Sequence, residues 1–243
     1  MLLDGSHLIA DALAAGLHVR TVLVSSEFLG GASRSSQDLV RRALDAQAVV
    51  YETTAPVIEA ASPVRTSSGI VAIADWTPDP IEETFSPAPA LALGLVDVQD
   101  PGNVGAVIRS ADALEATGVV AIDRTADPGG WKTLRGAMGS TFRVPVAQSS
   151  LDVVLATARK KGLAVVATVA RGAPSIDRLD LTAPTLLLIG NEGAGLADEV
   201  TTAATGLVTV PIRTGVDSLN AAVTAGILLY EARRQRQTST PTA

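Results

Sequence analysis

The stretch LALGLVDVQDPGNVGAVIRSADALEATGVVAI, Leu91 to Ile122, decides the fold. It opens on an apolar run, turns at Asp100-Pro101-Gly102, continues with helical spacing over Val104–Ala116 and closes on a second apolar run. Short apolar runs bounded by turn residues suit strands covered on both faces, so the stretch reads as strand, helix and parallel strand. Similar runs follow at Phe142–Ala147, Leu163–Val169, Pro184–Gly190 and Gly206–Ile212, with helical patterns at Leu151–Lys161 and Ser218–Gln235. The expectation is an α/β domain built on a mostly parallel sheet covered on both faces.

Upstream, the alternation is looser. Helical patterns at Ser6–Ala15 and Ser36–Ala46 and a helical turn at Pro56–Ala61 are interleaved with strand patterns. The strands are expected at Arg20–Ser25, Ala48–Tyr51 and Gly69–Ala74, giving a small α/β layer over residues 1–76. Between the two parts lies TPDPIEETFSPAPA, residues 77–90, with Pro78, Pro80, Pro87 and Pro89. Proline at that density argues against a helix or a central strand, so the segment is expected to be a semi-rigid linker. The larger domain is then residues 91–237, and residues 238–243, TSTPTA, are expected to form a disordered tail.

Composition narrows the chemistry. With 243 residues, 47% of them hydrophobic, the chain can bury one large core or two modest ones. Cysteine is absent and there are only two histidines, His7 and His18, which excludes disulfides and thiolate metal sites and leaves no basis for a metal centre. No segment reaches about 18 uninterrupted apolar residues, so no membrane span is expected and a cytoplasmic protein is the reading. The net charge of −6 argues mildly against a nucleic-acid partner, although cations gather at Arg124, Lys132, Arg135 and Arg143.

Three strand ends carry unusual polar residues, and ligands in open parallel sheets bind at such ends. After the first strand, Asn103 is placed to cap a helix that is otherwise apolar or small, and Arg109 follows six residues later. After the Pro184–Gly190 run comes GNEGAG, with Glu192 among glycines in the order G-x-x-G-x-G, the wrong order for a dinucleotide fingerprint. The third end, VPIRTGVDSLNAAV, leads into the last helix. Asp217 or Ser218 caps that helix, or Ser218, Leu219 and Asn220 hold a ligand with the free N–H groups there. Apolar spacing at Leu219, Ala222, Val223, Gly226, Ile227 and Tyr230 predicts its buried face. These residues suit positioning and polarising a hydroxyl and a phosphate better than hydrolysis or redox chemistry.

Taken in order and spacing, DPGNVGAVIRSADA, LLLIGNEGAGL and VPIRTGVDSLNAAVTA resemble the three motifs of the SpoU-type (TrmH-like) RNA 2′-O-ribose methyltransferases of the SPOUT class. WKTLRGAMGSTFRVPV resembles the segment between the first two motifs, and the likeness spans Leu91 to Gln235. Residues 1–76 resemble, less tightly, the L30e-like domain that binds RNA substrate in many rRNA-directed relatives. The resemblance implies a Rossmann-like sheet with a C-terminal trefoil knot, a homodimer, and S-adenosyl-L-methionine held by Thr168, Gly190, Val210, Ile212 and Leu219. It also implies catalytic roles for Arg109, Asn103, Glu192, Ser218 and Asn220, and RNA as substrate, with 23S rRNA favoured over tRNA. The alternatives are a catalytically silent SPOUT-like RNA-binding protein and, disfavoured by the glycine order, a nucleotide-dependent oxidoreductase. In the third motif relatives often continue with Val-Ser where Ala221-Ala222 stand here.

Overall fold

The computed structural model describes residues 1–31 and 34–238. The N-terminal layer comprises β1 (Leu2–Asp4), α1 (Ser6–Ala14), β2 (Val19–Ser25), α2 (Ser26–Gly30), α3 (Arg34–Asp45), β3 (Val49–Thr53), α4 (Ala55–Ala61) and β4 (Ile70–Ala74). Its sheet has the order β1-β4-β2-β3, with only β2 and β3 parallel. One face packs against α1 and α3 through Leu3, Ile9, Ala12, Val22, Leu39 and Ala72. The short β1 and α2 were not anticipated; three and five residues are too few to show a period.

Residues 77–90 depart from the expected linker. They contain α5 (Ile81–Thr84), whose Thr84 is completely buried, and Asp79 is hydrogen-bonded to Val146 through both its backbone N–H and its carboxylate. Pro80 stands just ahead of the helix and Pro87 and Pro89 stand beyond it, so none removes a helical hydrogen bond. A proline count cannot register that placement. A Cβ on Gly118 would lie 2.4 Å from the Thr84 Cβ, which is why the following strand begins with glycine.

The larger unit continues with β5 (Leu91–Val96), α6 (Pro101–Ala113), β6 (Gly118–Ile122), α7 (Trp131–Ala137), β7 (Val146–Ser149), α8 (Leu151–Lys160) and β8 (Ala164–Thr168). It ends with β9 (Thr185–Ile189), α9 (Asp198–Ala203), β10 (Gly206–Val208) and α10 (Ala221–Thr238). Its sheet is parallel throughout, in the order β10-β8-β9-β5-β6-β7. Residues α6 and α10 contribute to the core on one face, Val104, Val107, Ile108, Ala225, Leu228 and Leu229, meet Leu91, Leu93 and Leu187. The other face, with Ala92, Val120 and Leu186, takes α8 and α9. Because β5 hands over to α6 on one face and the adjacent β9 to α9 on the other, a crevice opens beyond their carboxyl ends. The Phe142–Ala147 strand starts later than expected, at Val146, since Ser140–Phe142 form a 3₁₀ turn.

Two expectations about the last helix are corrected. It begins at Ala221, and Asn220, not Asp217 or Ser218, caps it by accepting from the N–H groups of Ala222 and Val223. Its buried residues are Ala221, Ala225, Leu228, Leu229 and Ala232, whereas Val223 is 49% and Tyr230 63% exposed. Between Ala221 and Ala232 only Thr224 and Glu231 are polar, so the sequence offers apolar residues almost all round and no unique face. Thr238 closes this helix and is not part of a tail; the remainder of the expected tail, residues 239–243, lies outside the described residues.

Arg236 clasps the far end of α10. Its guanidinium donates to the carbonyls of Leu181 (2.8 Å), Pro89 (2.6 Å), Ala90 (2.9 Å) and Ala183 (3.1 Å). One residue earlier, Gln235 exchanges hydrogen bonds with Leu179 and Leu181. The C-terminal helix is thereby tied to the chain just ahead of both β5 and β9. The two units meet at α7, whose Leu134 is buried in the N-terminal core, and at Arg143, which pairs with Asp112 at 2.8 Å and faces Asp11 at 4.0 Å.

Candidate active site

The backbone builds the site before any side chain does. Asp100, not Asn103, caps α6: its carboxylate accepts the Asn103 N–H at 2.8 Å, and Pro101 occupies the first turn, where a missing N–H costs nothing. The Asn103 side chain is thus freed. Its Nδ2 donates to Glu192 Oε1 at 2.7 Å, and its Oδ1 accepts from Asn220 Nδ2 at 2.9 Å. One asparagine therefore joins its own loop to two others that lie 89 and 117 residues away along the chain.

The polarity of this relay is fixed from one end. Asn220 Oδ1 is committed to capping α10, so its amide nitrogen must face Asn103; Asn103 then presents oxygen to Asn220 and nitrogen to Glu192. Glu192 receives a donor, as a carboxylate at an otherwise apolar strand end requires.

The glycine-rich loop after β9 is held by Asn191, which sequence reading passed over. Its Oδ1 accepts from the Gly193 and Ala194 N–H groups, and its Nδ2 donates to the Asp97 carbonyl at 2.9 Å. The signal was available, because asparagine commonly closes such turns on its own backbone. Gly190 is obligatory: a Cβ there would stand 2.4 Å from the Gly195 carbonyl carbon. Asp97 itself sits at φ 55°, with its carboxylate held by Arg124, whose hydrogen bond sets its pKa below the usual carboxylate range against the opposing effect of burial.

Beside the relay lies a cavity of about 280 Å³ at the carboxyl ends of β8, β9 and β10. Thr168, Gly190, Val210, Ile212 and Leu219 all line it, as do Glu192 and Ser218. Asn103 and Asn220 stand outside its wall, and Arg109 is exposed on α6 with no hydrogen-bonded or ion-paired partner among the described residues. Ile189, Val208, Val210, Ile212, Leu219 and Leu228 give the cavity apolar surfaces, while Glu192 and Asp217 bring two carboxylates and no lining residue is basic. Such a field disfavours an anionic nucleotide and favours a ligand carrying positive charge. Among the described residues no cluster of His, Cys, Asp or Glu could hold a metal, and no helix is long and apolar enough to cross a membrane.

A family model described as the SpoU rRNA Methylase family matches residues 90–230. An uncharacterized tRNA/rRNA methyltransferase of Synechocystis is 32% identical over 99% of this chain and 86% of its own length. The 23S rRNA (guanosine(2553)-2′-O)-methyltransferase RlmP of Bacillus subtilis is 32% identical over 96% of this chain and 88% of its own. The SpoU methyltransferase AviRb of Streptomyces viridochromogenes, solved in complex with AdoMet, has a TM-score of 0.86 at 31% identity, covering 98% of this chain and 91% of that one. Three loops converging on one asparagine, a family match spanning the sheet that carries them, and similarity along nearly the whole chain agree: the protein belongs to the SpoU rRNA methylase family.

Proposed function

We propose that the chain is a cytoplasmic, S-adenosyl-L-methionine-dependent RNA 2′-O-ribose methyltransferase acting on 23S rRNA. The observation that carries this reading is the relay from Asn220 through Asn103 to Glu192 at the edge of a cavity rich in carboxylate and free of base. The cavity suits the cofactor on the chemistry of its walls: apolar surfaces would take a flat purine, strand-end backbone at Gly190 and Val210 would serve its edge, and the carboxylates of Glu192 and Asp217 would favour its positive charge. Thr168, Ile212 and Leu219 complete the wall. When bound, S-adenosylmethionine supplies an electrophilic methyl group.

The protein's own contribution is alignment and charge. Asn103 and Asn220 fix the amide geometry at the mouth, Glu192 orients donors beside it, and Ser218 offers a hydroxyl at the lining. Arg109 offers a planar fork of donors and no acceptor, so it serves as a phosphate-binding and hydroxyl-polarising group, not as a simple base. A phosphate oxygen or solvent then takes the 2′-hydroxyl proton.

The trefoil knot draws support from the path of the chain. The segment after β8 lies over the one after β10: Ile176 N–H donates to the Thr209 carbonyl, Arg171 to Val216, and Gln235 to Leu179. Homodimer formation draws support from the exposed Val223 and Tyr230 on α10, in the same helical layer as Arg109. Residues 1–76 then act as the L30e-like substrate-binding domain, residues 77–90 as a packed connector and residues 91–237 as the catalytic domain. The test is methyl transfer from tritiated S-adenosylmethionine to deproteinised 23S rRNA and to bulk tRNA, followed by mapping of 2′-O-methyl sites. Label in 23S rRNA at ribose is the expected result. Cofactor binding by calorimetry without transfer to either RNA would overturn it in favour of a silent binding protein.

A further inference from the structure

Outside the cavity, the helix that crosses α6 carries a charge pattern the proposed chemistry has not used. Residues 124–143 hold four cations, Arg124, Lys132, Arg135 and Arg143, against a single acid, Asp127, in a chain whose net charge is −6. Arg124 and Arg143 are consumed in ion pairs with Asp97 and Asp112. Lys132 and Arg135 are exposed and have no carboxylate partner among the described residues. They stand three residues apart on α7, on one stripe, while Thr133, Leu134 and Ala137 fill the buried side. The Lys132 ammonium lies 5.5 Å from the Trp131 ring centroid, a contact that restrains the head without neutralising it.

The crossing sets where this stripe points. A Cβ on Gly105 would lie 2.3 Å from the Thr133 carbonyl and 2.9 Å from Ala137 N, so α6 and α7 touch backbone to backbone there. Arg109, one turn beyond Gly105 on the same face of α6, emerges beside that contact. Lys132 and Arg135 each lie within a turn of it on α7, so the backbone positions that carry all three cations lie within about 10 Å of the crossing. The same short helix buries Leu134 in the N-terminal core, so the stripe also borders that layer.

Resting on the reading of this chain as an RNA methyltransferase, we propose that Lys132 and Arg135 form a phosphate-tracking surface. It holds the RNA backbone beside Arg109 and leads it toward the N-terminal layer. Exposed cations on long side chains suit phosphate contacts, which set register without reading bases. The cavity, with Glu192 and Asp217 and no base, repels a polyanion, so the two surfaces divide a cationic donor from an anionic substrate.

The test measures the salt dependence of binding by fluorescence anisotropy, with a fluorescein-labelled single-stranded 20-nucleotide RNA as probe. Wild-type protein, K132Q/R135Q and the control K160A/K161A on the opposite helical layer are compared. Each lost phosphate contact lowers the slope of log K against log salt by about 0.7, so the double variant is expected to lose roughly 1.4. The control should lose nothing, and the charge-retaining K132R should match wild type. Cofactor affinity should be unchanged, and kcat at saturating rRNA should hold while KM rises. An unchanged slope in K132Q/R135Q, or an equal loss in the control, overturns the proposal. Methyl transfer read in parallel keeps the two ideas apart. Transfer with an unchanged slope sinks this surface alone; salt-sensitive binding that K132Q/R135Q weakens, without transfer, supports the surface and sinks the methyltransferase reading.

Discussion

Asn220 does two jobs with two different atoms, and substitutions can separate them. Asn220→Ala removes both. Loss of the cap costs about 1 kcal/mol, and the Asn103 oxygen, left without its donor, adds roughly 0.5 kcal/mol because the site is partly exposed. For a chain of this size each kcal/mol lowers the melting temperature by about 2–4 °C, so a fall of roughly 3–6 °C is expected by scanning calorimetry. Asn220→Asp keeps an oxygen to cap the helix but turns a second oxygen toward Asn103 where a donor stood. Its melting temperature should stay within about 2 °C of wild type, while single-turnover methyl transfer falls at least about tenfold, the equivalent of one lost hydrogen bond. Wild-type transfer by Asn220→Asp would refute the relay. A melting temperature as low as that of Asn220→Ala would refute the capping assignment.

Three further outcomes are expected. Arg109→Lys keeps the charge but not the planar fork, so kcat should drop by about 100-fold with cofactor affinity, read by calorimetry, within a factor of two; near-normal turnover would exclude the role given to the guanidinium. Gly105→Ala forces a methyl group to 2.3 Å from the Thr133 carbonyl, and the urea midpoint should report a loss of about 1–3 kcal/mol. Glu231 is held at a pKa of about 2, first by hydrogen bonds from Arg234 and then from Gln235, against 4.5 ordinarily. Its folded-state pKa is depressed, so its contribution is complete above the ordinary value and is lost as the pH falls toward 2. Because Arg234 is half exposed, the pair is worth about 1 kcal/mol; Glu231→Gln should be less stable than wild type by that amount at neutral pH and show no such deficit near pH 2.

The fold was legible where periodicity is strong. The Leu91–Ile122 unit, the later strands and the long helices follow from runs of Val, Leu and Ile between turn residues, and the structure places β5, β6, β8 and β9 within a residue or two. What failed had a physical cause in each case. Proline number hid proline placement in residues 77–90, which let α5 form. The near-continuous apolar surface of α10 left its rotation to be decided by packing against α6. At the site, the strand-end positions of Asn103, Glu192 and Asn220 were visible, but the links among them were not, since they span residues far apart in the chain. Caps were misassigned by two or three positions: Asp100 and Asn220 hold the helices, and that shift is what releases Asn103 toward Glu192. The role of Asn191 depends on meeting Asp97 across two strands, which no local pattern encodes.

The clasp at Arg236 bears on how the molecule comes into being. Leu219 and, on α10, Ala221, Thr224 and Leu228 wall the cavity, and Arg236 secures that helix to carbonyls at Pro89, Ala90, Leu181 and Ala183. On a ribosome, those walls are translated after every other lining residue, so a chain that has not passed Leu219 lacks one side of the cavity. A product stopped between Leu228 and Arg236 would carry every lining residue but lack the clasp that holds α10 in place.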